Sequence, residues 1–112
     1  MTNCLFCKMA AGDIKSDVVY ENDQILAFRD INPQAPVHIL IIPKRHITTL
    51  NDLDDAQLGG QLLLTAIELA KQEGMADDGY RTAFNCNKNG GQAVYHLHLH
   101  LLGGRQMGWP PG

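Results

Sequence analysis

Residues 95–102 read Tyr-His-Leu-His-Leu-His-Leu-Leu, a strict alternation of imidazole and leucine. Alternation is the period of a β-strand, whose successive side chains point to opposite faces. A strand here would gather His96, His98 and His100 on one face and turn Leu97, Leu99 and Leu101 to the other. A helix would scatter both sets around its circumference and leave no apolar stripe. Three of the five histidines in the chain fall within five residues. An imidazole titrates near neutral pH and serves as nucleophile, general acid or base, or metal ligand. The run therefore predicts a strand with chemistry on one side and a hydrophobic core on the other.

The remaining pattern supplies partners for such a strand. Residues 18–21, 25–29, 37–42 and 80–85 read as strands, and 94–102 as the histidine-bearing one. The first pair is joined at Asn22-Asp23, and the third is stopped by Pro43. Asp54 or Asp55 is suited to cap a helix running to about residue 73. Its apolar face is Leu58, Leu62, Ala66, Leu69 and Ala70, and Gly74 is its stop. Residues 5–11 fit a short helix ended by Gly12. Short turns between strands and one long helix favour an α+β fold on an antiparallel sheet. Residues 86–92 read as a loop, and the tail from Gly103 to Gly112 as irregular, its Trp109 either a partner contact or a loose end.

At 112 residues, with 45% hydrophobic and 19% charged residues, residues 1–112 read as one globular domain. The formal charge of −3 argues against a nucleic-acid polymer as partner. No stretch is long and apolar enough for a membrane span, and the first residues lack the pattern of a signal peptide, so a cytoplasmic location is expected. Three cysteines in a reducing compartment argue against a disulfide framework.

Four further features bear on chemistry. His38 lies in the apolar run 37–42, where a lone histidine is more commonly a hydrogen-bonded core residue; beside the His98 strand it would orient the central imidazole. Cys4 and Cys7, two residues apart, suggest a redox pair, half of a zinc site completed by His46 and His96, or two small buried residues. Cys86 has no partner by spacing and reads as a packed thiol. Gly90-Gly91 lets backbone N–H groups approach an anion, although a plain turn between strands would look the same. Asp30 suits a ribose diol with Ile31 against a base, or simply a solvated turn. Asp52, Asp54 and Asp55 read as the acidic start of the long helix.

The run 96–102 resembles the His-φ-His-φ-His-φ-φ signature (φ hydrophobic) of the histidine-triad nucleotide-binding proteins, in particular their purine nucleoside phosphoramidase branch. The likeness extends through residues 28–38, Gly79-Tyr80-Arg81, Asn85, residues 90–96, Gly103 to Met107 and the closing Trp109-Pro110-Pro111-Gly112. It implies a five-stranded antiparallel sheet with one long and one short helix, joined to a second sheet across a homodimer. It also implies hydrolysis of AMP, or another purine nucleotide, linked to an amine or other leaving group. By position, His98 would be the nucleophile that forms an adenylyl-histidine, His100 would bond phosphate oxygens, and His38 would hold the His98 ring and assist proton movement. Asp30 would bind the ribose, with Phe6, Phe28, Ile31 and Leu40 around the purine. Asn85, Gly91, Gln92 and residue 93 would line the phosphate and leaving-group side. Many relatives carry a serine where Ala93 stands, and a methyl group cannot donate a hydrogen bond. The resemblance implies a structural zinc on Cys4, Cys7, His46 and His96, and no catalytic cofactor. Two other readings are a zinc hydrolase that uses the histidine run as ligands and a nucleotide-sensing adaptor with little turnover.

Overall fold

The computed structural model describes residues 3–112. A short helix α1 (Leu5–Ala10) leads into strands β1 (Val18–Glu21), β2 (Ile25–Arg29) and β3 (Val37–Pro43). Helix α2 (Ala56–Gln72), strand β4 (Tyr80–Phe84), the single helical turn α3 (Asn87–Gly90) and strand β5 (Leu99–Gly103) follow. The five strands form one sheet in the order β1-β2-β3-β5-β4, every pairing antiparallel. The α+β architecture expected from the pattern is the one observed.

Alternation along the inner strands divides the molecule into two apolar layers. Ile25, Ala27, Ile39, Ile41, Leu99 and Leu101 point to α2 and pack with its Leu58, Leu62, Ala66, Leu69 and Ala70. Leu26, Phe28, Leu40 and Ile42 point the other way and meet Phe6 of α1. Full burial of such a side chain contributes about 1.5–3 kcal/mol, so the α2 layer supplies most of the driving force. Asp55 caps α2 by accepting the Leu58 N–H at 3.1 Å. Thr49 and Asp52 form a capping box on a 3-10 turn just upstream.

Two expectations need correction. The strand predicted over 94–102 is regular only from Leu99, so His96 and His98 sit in the extended approach to β5. The two-sidedness survives because Leu97 still packs in the α2 layer. Ile41 opposite Leu99 is the last pair of the β3–β5 ladder: Pro43, which would face Leu97, has no N–H to donate, and the Leu97 N–H bonds instead to the carbonyl of Ile47. Likewise residues 86–92 are not a plain loop. Asn87–Gly90 makes a helical turn, a third helix beside the expected long and short ones. Gly91 closes it at φ +77°, a left-handed conformation that glycine adopts without strain.

Candidate active site and metal centre

The antiparallel register brings Leu40 opposite His100 and His38 opposite Leu102. His38 and His100 are thus diagonal neighbours on one face, and His38 Nε2 lies 2.9 Å from His100 Nδ1. His38 therefore grips His100 rather than the ring of His98, against the role implied by the resemblance. His98 is held instead by its own strand, with Nδ1 2.8 Å from the carbonyl oxygen of His96.

These bonds assign the tautomers. The Gln34 N–H donates to His38 Nδ1 at 3.0 Å, so the His38 proton sits on Nε2 and is donated to His100 Nδ1. His100 then carries its proton on Nε2, which faces the side-chain amide of Asn85 at 3.5 Å. In His98 the carbonyl of His96 requires the proton on Nδ1, leaving a lone pair on Nε2. That nitrogen has no hydrogen-bond partner, and among the described residues no buried side-chain nitrogen lacks one. His98 Nε2 is consequently open to an incoming molecule, although the residue as a whole is buried. The site pairs a free lone pair on His98 with an N–H on His100 that meets only the long contact to the Asn85 amide, the two rings being 4.9 Å apart.

Burial disfavours the charged forms of His38 and His100. Desolvation, reinforced by His98 and His38, pushes His100 down to about 4. Desolvation also lowers His38, opposed by the carboxylate of Asp30. Asp30 Oδ2 is 3.6 Å from His38 Nε2, too far for a hydrogen bond, while Oδ1 accepts the Asn32 N–H at 2.9 Å. The carboxylate keeps lone pairs for another donor. Ile31 beside it is 97% exposed, whereas Phe6, Phe28 and Leu40 are buried beneath.

The glycine loop is organised differently from an open anion nest. The Gly91 and Gln92 N–H groups are consumed by the carbonyls of Lys88 and Asn87. The Gln92 side chain is also occupied: it accepts from the Asn87 N–H and donates to the carbonyls of Thr48 and Val94. Gln92 thus ties α3 to the segment before α2. Ala93 is exposed, and its N–H makes no hydrogen bond among the described residues.

A second cluster adjoins the first. Cys4 Sγ lies 3.2 Å from His96 Nδ1, Cys7 Sγ lies 3.4 Å from the same atom, and His46 Nδ1 is 3.3 Å from Cys7 Sγ. The four ligand atoms all fall within 4.8 Å of one another. A tetrahedral zinc with the usual bond lengths puts sulfur and nitrogen roughly 3.5 Å apart, so the donor set fits the ion. The His96 Nε2–H donates to the carbonyl of Pro43 at 2.8 Å, which turns the Nδ1 lone pair toward the thiols. Burial, followed by the neighbouring Cys4, pushes the Cys7 thiol up to about 11; a cation is what such a pair needs to ionise. A redox pair is the weaker reading of Cys4 and Cys7, since two imidazoles complete a closed ligand set. Cys86, in contrast, is half-buried and makes no side-chain cap bond to α3.

The tail reads in the sequence only as irregular, and Arg81 enters there only within the Gly79-Tyr80-Arg81 stretch of the resemblance, with no role in holding the tail. Arg81 donates to the Gly108 carbonyl at 2.7 Å and lies 6.0 Å from the Trp109 ring centroid, the indole itself being largely exposed. No local signal marks an arginine on β4 as the tail's anchor.

The HIT domain signature matches residues 11–107. The purine nucleoside phosphoramidase of Escherichia coli K12 is 52% identical over 106 residues, 93% of this chain and 89% of that protein. A 14 kDa zinc-binding protein of Zea mays is 54% identical over 112 residues, 96% of this chain and 87% of the relative. A crystal structure of a HIT family hydrolase from Legionella pneumophila superimposes with a TM-score of 0.96 at 61% identity, covering 98% of this chain and all of that one. With its antiparallel sheet and clustered imidazoles, the chain belongs to the histidine-triad (HIT) family.

Proposed function

We propose that the protein is a purine nucleoside phosphoramidase-type hydrolase and nucleotidyl transferase that cleaves adenosine 5′-phosphoramidates and related AMP conjugates. The observation that carries this reading is the orientation of His98: Nδ1–H is committed to the His96 carbonyl and Nε2 presents an unpartnered lone pair. That nitrogen attacks the α-phosphorus. A histidine–phosphorus bond forms as the phosphorus–nitrogen bond to the amine breaks, and the amine departs with a proton. Water then attacks phosphorus, releases AMP and regenerates His98.

His100 donates its Nε2–H to a phosphate oxygen, and His38, fixed by the Gln34 N–H, keeps that proton correctly placed. With both imidazoles held neutral by burial, oriented N–H dipoles stabilise the phosphorus centre. Asp30 receives the ribose hydroxyls, and Phe6, Phe28, Ile31 and Leu40 form the purine's apolar surroundings. Asn85, the backbone at Gly91 and Gln92, and the free N–H of Ala93 line the leaving-group side. Gln92 acts there by shaping the loop, because its amide is already bonded.

Cys4, Cys7, His46 and His96 hold a structural zinc, which when bound cross-links α1 to the sheet. A hydrolase using the histidine run as metal ligands is disfavoured by the rings themselves. His96 Nδ1 turns to the cysteines and His100 Nδ1 to His38. No helix among the described residues is long and apolar enough to cross a membrane.

Turnover of an adenosine phosphoramidate, quenched and mapped by mass spectrometry, tests the mechanism. An AMP adduct on His98 is the expected result. An adduct on another residue overturns the assignment, and tight AMP binding with no turnover leaves the sensing adaptor as the function.

A further inference from the structure

The metal centre and the proposed nucleophile are joined by two contacts. His96 belongs to both: its ring faces Cys4 and Cys7, while its main-chain carbonyl accepts the Nδ1–H of His98 at 2.8 Å. Phe6 lies between the two cysteines in sequence. Its ring meets His98 edge-on at 5.3 Å and 88°, meets His96 at 5.9 Å, and leans on Phe28 at 5.4 Å.

Helix α1 has only six residues, too few to hold its shape alone in water. Its one fully buried side chain is Phe6, and its cysteines face His46 and His96. Cross-linking those cysteines to the sheet therefore fixes where Phe6 stands. Phe6 in turn closes one side of the space in which the His98 ring turns.

We propose that Phe6 is a positioning residue that, together with the His96 carbonyl, couples the Cys4/Cys7/His46/His96 centre to His98, so that metal and nucleotide each tighten the other's hold. The inference rests on the zinc and nucleotide readings above. A zinc-loaded centre holds α1 down, narrows the orientations open to His98, and spares a nucleotide the cost of ordering it. By linkage the same factor must operate in reverse: bound nucleotide tightens the binding of zinc.

The test is the zinc affinity of the intact protein, measured at equilibrium by competition with a chromophoric chelator, with and without saturating AMP. AMP is expected to lower the zinc dissociation constant about fivefold or more, the lower end of typical coupling between sites. In Phe6→Leu, which keeps all four ligands and an apolar side chain, the AMP effect is expected to shrink. Nitrogen-15 spectra of His98 in zinc-loaded and chelated protein supply a readout that does not depend on that variant folding. Removal of zinc is expected to weaken the signature of Nδ1–H bonded to a carbonyl.

Calorimetry distinguishes the two levels of failure. AMP that does not bind overturns the nucleotide reading, and the coupling with it. AMP that binds without altering zinc affinity, or His98 resonances indifferent to zinc, overturns the coupling alone. An AMP effect undiminished in a folded Phe6→Leu removes Phe6 as its carrier.

Discussion

Ala93 puts a methyl group on the proposed leaving-group side of the site, where a hydroxyl would be able to donate. Its backbone N–H remains free, and the residue is exposed, so a larger polar side chain fits without repacking. One added hydrogen bond is worth about 1 kcal/mol net, roughly a fivefold change in rate. Ala93→Ser is therefore expected to raise kcat for an amine-leaving substrate by about fivefold, with little change for substrates whose leaving group needs no proton. Steady-state kinetics on both substrate types check this. The same scale shows why residue roles cannot be assigned by counting histidines. Each imidazole has two nitrogens, and the bond made by one dictates what the other offers. His96 gives a lone pair to the cysteines, His98 keeps one for substrate, and His100 offers a proton.

At the scale of elements, β3 and β5 hold the buried His38 and the half-buried His100 against each other, with consequences for stability. His100 lies at about 4 in the folded protein against the usual 6.5, and His38 is lowered as well. Between those values the unfolded chain binds protons that the folded chain refuses, so stability falls as pH drops from about 6.5 towards about 4. Below that window this contribution no longer changes. Thermal melts across the range should show the decline, and His100→Asn, which removes the largest shift, should flatten it. The elements also mark where sequence reading succeeded. Helix α2 was legible to its buried face, because burial on one side of a 3.6-residue period leaves a stripe in the sequence. Helix α3 was not, because four residues of Asn, Lys and Gly carry no period. Its bonds to Gln92 come from outside the turn.

At the scale of the whole molecule, the β4 edge and the outer side of α2 make a surface that a single copy leaves uncovered. Strand β4 is an edge of the sheet, and α2 exposes Leu63 and Ile67 on its outer side, with Leu63 and Phe84 lining a common groove. An unpaired edge beside exposed apolar side chains is a template for association. The homodimer implied by the resemblance is accordingly read here as a pairing across β4 and α2. Sedimentation should return a mass of two chains, and Leu63→Asp with Ile67→Asp should return one; a monomeric parent protein would refute the pairing.

The sequence by itself determined the two-sided sheet and the long helix, and it brought forward the residues proposed to carry chemistry. Local periodicity and residue type suffice for those properties, since each is a constraint that a strand or helix imposes on its own neighbours. It also brought Cys4, Cys7, His46 and His96 forward as one ligand set, and the structure draws their ligand atoms together. Only the tertiary structure decided which nitrogen faces which partner. His38 meets His100 because the β3–β5 register places them diagonally on one face, and His98 answers to a carbonyl two residues back. The N–H groups of Gly91 and Gln92 are spent on closing a turn. Side-chain contacts of this kind join groups as far as 92 positions apart in sequence. A linear pattern holds no record of such distances, whereas a folded sheet in which, among the described residues, every buried side-chain nitrogen and oxygen is satisfied fixes them together.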